Sequence, residues 1–334
     1  MKILYNGQEF LVYLLFIMFV TSILKEKGYL MDIFSLLKQK VKSKKMVVFF
    51  VSLFGGVLPV PGRVAISASM LNSIAPVDNK KRKKFGIIDY LATHHYYLWS
   101  PLEKTVIIPM AVLGLSYAKF MSYIWPLLLI SGLYIVYYIV TLDDNEIDIE
   151  VKDEPINWKN ILYVVLPFLA TIFISCVTDY YFIAFTIFTA YLVYYSKTWT
   201  KLLGYINWDL VGIVAAVIIL GNLISSYSDQ IEGYVKMYNK PQYLMVVCVF
   251  AFLSSFMLGS SAKYASMVSL LTTVFGLQYF VLFFTLEYAG YLISPSHKCL
   301  PIGQKYFHTG FMTYLKALII WISLMITYAL FTII

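Results

Sequence analysis

Apolar residues in this chain run in long blocks. A helix needs about 20 mostly apolar residues to cross a bilayer. Residues 8–24, 121–142, 159–177, 180–197, 209–228 and 310–334 meet or approach that length and predict transmembrane helices. A further apolar block, residues 46–76, is interrupted by Gly55-Gly56-Val57-Leu58-Pro59-Val60-Pro61-Gly62, where glycine and proline break a helix and permit a turn. Before it, Tyr29, Leu30, Ile33, Leu36, Leu37 and Val41 recur at helical spacing with lysines interleaved. That pattern suits a helix lying in the membrane interface, with a solvated linker helix as the bland alternative.

Charge orients these elements. Seven lysines lie between Lys25 and Lys45, and residues 80–84 read Lys-Lys-Arg-Lys-Lys, so 12 of the 26 basic residues sit in two short loops. The positive-inside rule puts both loops in the cytoplasm. The block between them then enters and leaves on one side. Two full crossings would need about 40 residues, and the 31 available fit a re-entrant hairpin with its tip inside the membrane. A single long kinked helix is the competing reading. Counting crossings gives about eight spans, both termini outside, and a cytoplasmic acidic loop at 143–158. Trp158, Trp199 and Trp208 fall at span ends, as interfacial tryptophans do.

The two halves repeat. Residues 62–71 read GRVAISASML and residues 259–268 read GSSAKYASMV, and residues 97–104 read YLWSPLEK and residues 291–298 read YLISPSHK. Each pair shares five positions, at offsets of 197 and 194. Residues 8–24 and their counterparts 209–228 cross in opposite senses, so the repeats are inverted. The expected fold is an all-α polytopic membrane protein of two inverted repeats, about eight spans plus two hairpins. The first repeat takes residues 1–142, with a hairpin at 46–79 and a broken helix at 85–117. The second takes residues 159–334, with a hairpin at 242–274 and a broken helix at 276–308.

Composition excludes a soluble domain: 60% of residues are hydrophobic and 13% charged. Cys176, Cys248 and Cys299 are far apart and form no metal-ligand or disulfide spacing, so neither a zinc site nor a cofactor is expected. The first apolar run has no small-residue cleavage site, which argues against a cleaved signal peptide. The net charge of +8 concentrates in membrane-flanking loops and is no sign of nucleic-acid binding.

Candidate chemistry gathers at the interruptions. Proline removes a backbone donor and disfavours helix in the residue before it. Ser100-Pro101 and Ser294-Pro295 therefore read as midpoints of broken helices, whose freed backbone groups can hold ions or polar substrate groups. Gly62, Gly259, Ser100 and Ser294 are the repeat-matched positions expected to converge. Arg63, Ser67 and Ser260 lie on the hairpins beside them, and Lys104, His297 and Lys298 follow the breaks. Lys104 and Lys298 can balance an anion, or Lys104 can neutralise Glu103. His297 can bind the anion or carry a proton. Serines in membrane helices also simply bond their own backbone, and His95 and His308 read as interfacial. Positive charge prevails at the breaks, which points to an anionic substrate.

The stretch Gly56-Val57-Leu58-Pro59-Val60-Pro61-Gly62 followed by Ser67-Ala68, with Ser294-Pro295, His297, Cys299 and Tyr306-Phe307, resembles the DUF401 family of prokaryotic membrane proteins. That family is similar to the ion-transporter superfamily of anion permeases. The resemblance implies an elevator transporter, whose hairpins and broken helices slide against a scaffold domain. It leaves room for a homodimer. Spans 159–177 and 180–197 have no first-half counterparts, and the Ser-Asn-Thr tips of the sodium/dicarboxylate branch are absent, so the coupling ion stays open between Na+ and H+.

The expected function is secondary active transport of a small organic anion, a carboxylate by preference, in the cell membrane. Its expected partners are the lipid bilayer and the anion. The alternative is a non-transporting scaffold or sensor that retains the fold. An enzyme is not expected: Ser100, His94 and Glu103 are near in sequence, but GxSxG, HExxH and paired-aspartate motifs are missing.

Overall fold

The computed structural model describes residues 2–29, 31–57, 63–76, 78–143, 147, 156–178, 181–226 and 241–333. These residues are helical with short connections, and no strand occurs among them. In chain order the first helices are α1 (Lys2–Lys27), α2 (Met31–Lys40), α3 (Lys44–Val57), α4 (Arg63–Ser73), α5 (Asn79–His95), α6 (Lys104–Leu113) and α7 (Tyr117–Val140). There follow α8 (Trp158–Asn160), α9 (Leu166–Val177), α10 (Tyr181–Ser196) and α11 (Trp208–Ser226). The chain ends with α12 (Pro241–Leu258), α13 (Ser261–Phe275), α14 (Phe280–Ile293), α15 (Cys299–Phe307) and α16 (Phe311–Phe331).

Two helices form the centre. Every residue of α5 from Phe85 to His94 is buried, and α14 is buried along nearly its whole length. A helix that is apolar on all sides is stable only when neighbours cover all of it. The cover for α5 is α3, α4, α7 and α15, and for α14 it is α12, α13 and α16. Close approach sets one of these contacts: a Cβ placed on Gly290 of α14 would lie 2.2 Å from the Phe252 carbonyl oxygen of α12.

The outer helices turn apolar stripes outward. Leu129, Leu133, Val136 and Val140 of α7 are exposed, as are Met245, Val249, Leu253 and Met257 of α12. Spacings of three and four residues place each set on one helical face. Such continuous apolar faces require hydrocarbon rather than water outside them. Three described helices are long and apolar enough to cross a membrane alone: Tyr117–Val140, Trp158–Ser175 and Phe311–Phe331. The pair Trp199–Tyr205 and Trp208–Leu220, bent by 61°, makes a fourth if taken as one span. The chain is therefore an all-helical membrane protein. The number of crossings expected from the sequence is larger because other apolar runs form shorter helices, such as Phe182–Ser196 and Tyr243–Leu258.

The long helix from Trp158 widens to a π-helical turn over Ile161–Val165. Pro167 lies just beyond and cannot donate to the carbonyl of Tyr163. The Tyr191 hydroxyl of α10 donates to that carbonyl instead, at 2.8 Å, and so ties α10 to the preceding helix.

Several loops meet at one end of the molecule. Lys44 donates to the Ile147 carbonyl at 2.8 Å, Lys45 to Val140 at 3.2 Å and Lys84 to Thr141 at 2.9 Å. Cations at the C-terminal end of α7 complement its dipole and satisfy its last carbonyls. Asp32 of α2 accepts from the Asn157 amide at 3.1 Å and the Asn160 side chain at 2.9 Å. At the end of α1, Glu26 bonds Lys201 and accepts from the Tyr205 hydroxyl at 2.7 Å.

Candidate functional site

The two interruptions of the central helices supply the site. After α5 the chain makes one 3₁₀ turn, Tyr96–Leu98, and becomes helical again only at Lys104. The carbonyls freed there are taken up by hydroxyls. Thr105 donates to Tyr97 at 2.6 Å, Tyr117 to Trp99 at 2.7 Å, and Tyr13 of α1 to Pro101 at 2.9 Å. Ser100 is fully buried, and its Oγ accepts from the Leu102 amide at 3.2 Å. Irregular backbone at membrane depth needs this kind of satisfaction. Glu103 is buried at the N-cap of α6, and Lys104 beside it is half-buried.

The second interruption runs from Ser294 to Lys298, between α14 and α15. The tip of the second hairpin, Gly259-Ser260 between α12 and α13, is seated on it. Ser294 Oγ donates to the Phe256 carbonyl at 2.5 Å, and Ser296 Oγ to Met257 at 3.3 Å. Gly259 has a φ of +54°, and a Cβ there would lie 2.2 Å from Ser296 Oγ. Only glycine allows both the left-handed backbone and that approach.

The two breaks meet through aromatic side chains. The Tyr97 and Tyr291 hydroxyls lie 3.0 Å apart, and the Tyr288 hydroxyl donates to the His94 carbonyl at 2.6 Å. The Tyr90 hydroxyl donates to the Leu292 carbonyl at 2.6 Å. His94 and His297 face each other with their Nε2 atoms 3.2 Å apart. Each imidazole stacks on a tyrosine, His94 on Tyr90 at 4.0 Å and His297 on Tyr291 at 4.1 Å between ring centres. Each central helix also carries a buried carboxyl group held by a serine from a neighbouring helix pair. Asp89 of α5 accepts from Ser67 Oγ of α4 at 2.5 Å, and Glu287 of α14 accepts from Ser254 Oγ of α12 at 2.8 Å.

The residues expected from the sequence fall into separate neighbourhoods. Gly259, Ser260, Ser294 and Pro295 share the second tip and break. Ser100, Pro101 and Lys104 lie at the first break, where Pro101 contacts α1. His297 faces inward and buried, whereas Pro295 and Lys298 are exposed. Ser67 is buried on Asp89. Gly62 lies outside the described residues, and Arg63 is placed only as the first residue of α4. Ser100 Oγ bonds the Leu102 amide within its own break, whereas Ser294 Oγ bonds α12. The sequence reading did not single out Asp89, Glu287 or Tyr90 and did not place His94 in the site. For the two acids the signal was available: an isolated carboxylate inside an apolar run marks a buried functional position.

A family model described as "Protein of unknown function (DUF401)" matches residues 1–334. No curated protein matches the chain.

Proposed function

The chain belongs to the DUF401 family, and from that premise and the geometry of the two breaks we propose that it is a secondary active transporter of a small organic anion. The observation that carries this reading is the pairing of equivalent positions. Tyr97 with Tyr291, and His94 with Tyr288, are each 194 residues apart, the offset of the Ser-Pro motifs. Residues related by a two-fold axis touch their own counterparts only on that axis. Inverted repeats meeting at such an axis, with interrupted helices on it, form the binding region of many secondary transporters.

Four helices, α4, α6, α13 and α15, begin directly after a hairpin tip or a break. Their N-termini carry partial positive charge, and Lys104 and Lys298 add full charges, which favours an anion. The packing supports an elevator. α4 packs on α15 and α13 on α6, so each hairpin grips the broken helix of the other half. The two hairpin–break units then move as one body. α1 with α9–α11 supplies the opposing surface, where α11 meets α6 and α13. The gathering of the two basic loops at the end of α7 supports their common cytoplasmic location.

Purified protein in proteoliposomes should exchange a labelled mono-, di- or tricarboxylate for unlabelled anion. Loss of a charged partner from a desolvated pair costs about 2–5 kcal/mol. Lys104→Ala, on the half-buried lysine of the first break, should therefore weaken uptake at least tenfold, and Lys298→Ala and His308→Ala, on exposed residues, much less. If folded protein exchanges no anion of such a panel, transport is excluded and the scaffold or sensor reading takes its place.

A further inference from the structure

We propose that His94, His297 and Cys299 form a binding site for one zinc-type divalent transition-metal ion, joining α5 to the second break. The ligand atoms of these three side chains all lie within 4.8 Å of one another. His94 is fully buried, His297 is 2% exposed and Cys299 is half-buried.

The hydrogen bonds fix the tautomers. His94 Nδ1 lies 2.6 Å from the Tyr90 carbonyl oxygen, and His297 Nδ1 lies 3.1 Å from the Tyr291 carbonyl oxygen. A carbonyl oxygen only accepts, so each Nδ1 carries the hydrogen and donates it. The Tyr90 hydroxyl is no rival donor to His297, because its own hydrogen goes to the Leu292 carbonyl. In the neutral rings Nε2 is then the nitrogen able to ligate, and the two Nε2 atoms lie 3.2 Å apart. A metal ion between the two nitrogens would accept a lone pair from each. A metal-ligating histidine characteristically donates its other ring N–H to a backbone carbonyl, as both rings do here.

The dimensions suit the ion. Zinc–nitrogen bonds of about 2.0–2.1 Å bring two nitrogens 3.2 Å apart at an angle of about 100–106°, close to tetrahedral. A tetrahedral ion separates nitrogen from a thiolate sulfur by about 3.6 Å. Cys299 Sγ then has to close by about 1.2 Å at most, within reach of a side-chain rotation at the start of α15. Two imidazoles and a thiolate select a borderline-soft ion over Mg²⁺ or Ca²⁺. Three protein ligands leave the fourth position for water or an anion.

Cobalt(II) reports on such a site by its spectrum. Full-length protein in detergent, stripped with chelator and titrated with Co²⁺, should take up one ion per chain. It should show tetrahedral ligand-field bands and a thiolate-to-cobalt charge-transfer band, both erased by excess Zn²⁺. Cys299→Ser changes one atom of a half-buried side chain. It should abolish the charge-transfer band and weaken binding at least tenfold while the protein elutes as wild type. His297→Ala should abolish stoichiometric binding. The proposal is overturned if the wild type gives no tetrahedral cobalt spectrum, in which case the two histidines share a proton. It is equally overturned if the spectrum survives Cys299→Ser unchanged.

Discussion

The hydroxyls of Tyr97 and Tyr291 lie 3.0 Å apart, although 194 residues separate them. Each tyrosine opens a Tyr-Leu-x-Ser-Pro stretch, and each hydroxyl lies against that of the tyrosine opening the other stretch. A buried hydrogen bond of this kind contributes about 0.5–1.5 kcal/mol. Tyr97→Phe and Tyr291→Phe should each lower stability by about that amount. The double variant should be no less stable than the weaker single one, because the two share one interaction. Thermal unfolding in detergent measures all three, and additive losses would show that the hydroxyls act independently.

Asp89 is buried and accepts from Ser67 Oγ at 2.5 Å. Ser67→Ala removes that donor from a buried carboxyl group and should cost about 1–3 kcal/mol. Asp89→Asn keeps an acceptor oxygen and should cost less than Asp89→Ala. Unfolding midpoints that rank Asn and Ala equally would count against this bond.

Gly259 combines a φ of +54° with a contact that leaves no room for a Cβ beside Ser296. The left-handed backbone alone costs an L-residue about 1–2 kcal/mol. Gly259→Ala should exceed that, because Ser296 backbone and side chain must both move. It should also impair anion exchange by displacing the second tip from its break. A variant as stable as wild type would mean that the tip does not rest on Ser296.

Glu26, beyond the apolar run 8–24, has its carboxyl group held below the ordinary value of 4.5, first by the bond from Lys201 and then by that from Tyr205. The Tyr205 hydroxyl is pushed up to about 12, by burial first and then by Glu26, so it remains a donor at neutral pH. A carboxyl group with a depressed folded-state pKa contributes stability above its unfolded value and loses it as pH falls through the folded value. The link from α1 to the Trp199–Tyr205 turn should therefore weaken only on acidification below about 4.5. Glu26→Gln should lower stability slightly above that pH and converge with wild type in acid, which flattens the acid limb of the profile. The pair is exposed, so the effect is small.

The two basic loops should share a side of the membrane. Single cysteines at Lys40 and Lys83, both exposed, should resist an impermeant thiol reagent applied outside intact cells and react once the cells are opened. Labelling of one position alone would exclude the re-entrant hairpin between them.

The helical class and the interruptions were legible in the sequence because both are local. Apolar runs near the length of a bilayer leave helix as the economical open-chain solution. Pro101 and Pro295 each remove a donor and unseat the residue before them, which is why Ser100 and Ser294 stand outside helices. Basic residues 80–84 and the lysines before Met46 carry an expectation of orientation, because positive charge near a span sets its sense of insertion. The site was legible only in part. Asp89 and Glu287 stand as isolated acids in apolar runs, but which serine holds each depends on packing. His94 and His297 are 203 residues apart, with no spacing that a metal motif would show. Ligand motifs are visible in sequence only when one turn or loop supplies the ligands, whereas the three proposed here come from α5, the second break and the first residue of α15. The facing of the two Nε2 atoms follows from backbone carbonyls of the folded helices, which lie within hydrogen-bond distance of each Nδ1. Local chemistry along the chain thus determined where its helices run and where they stop; which side chains face each other at the stops was decided by the packing of α5 against the end of α14 and the start of α15.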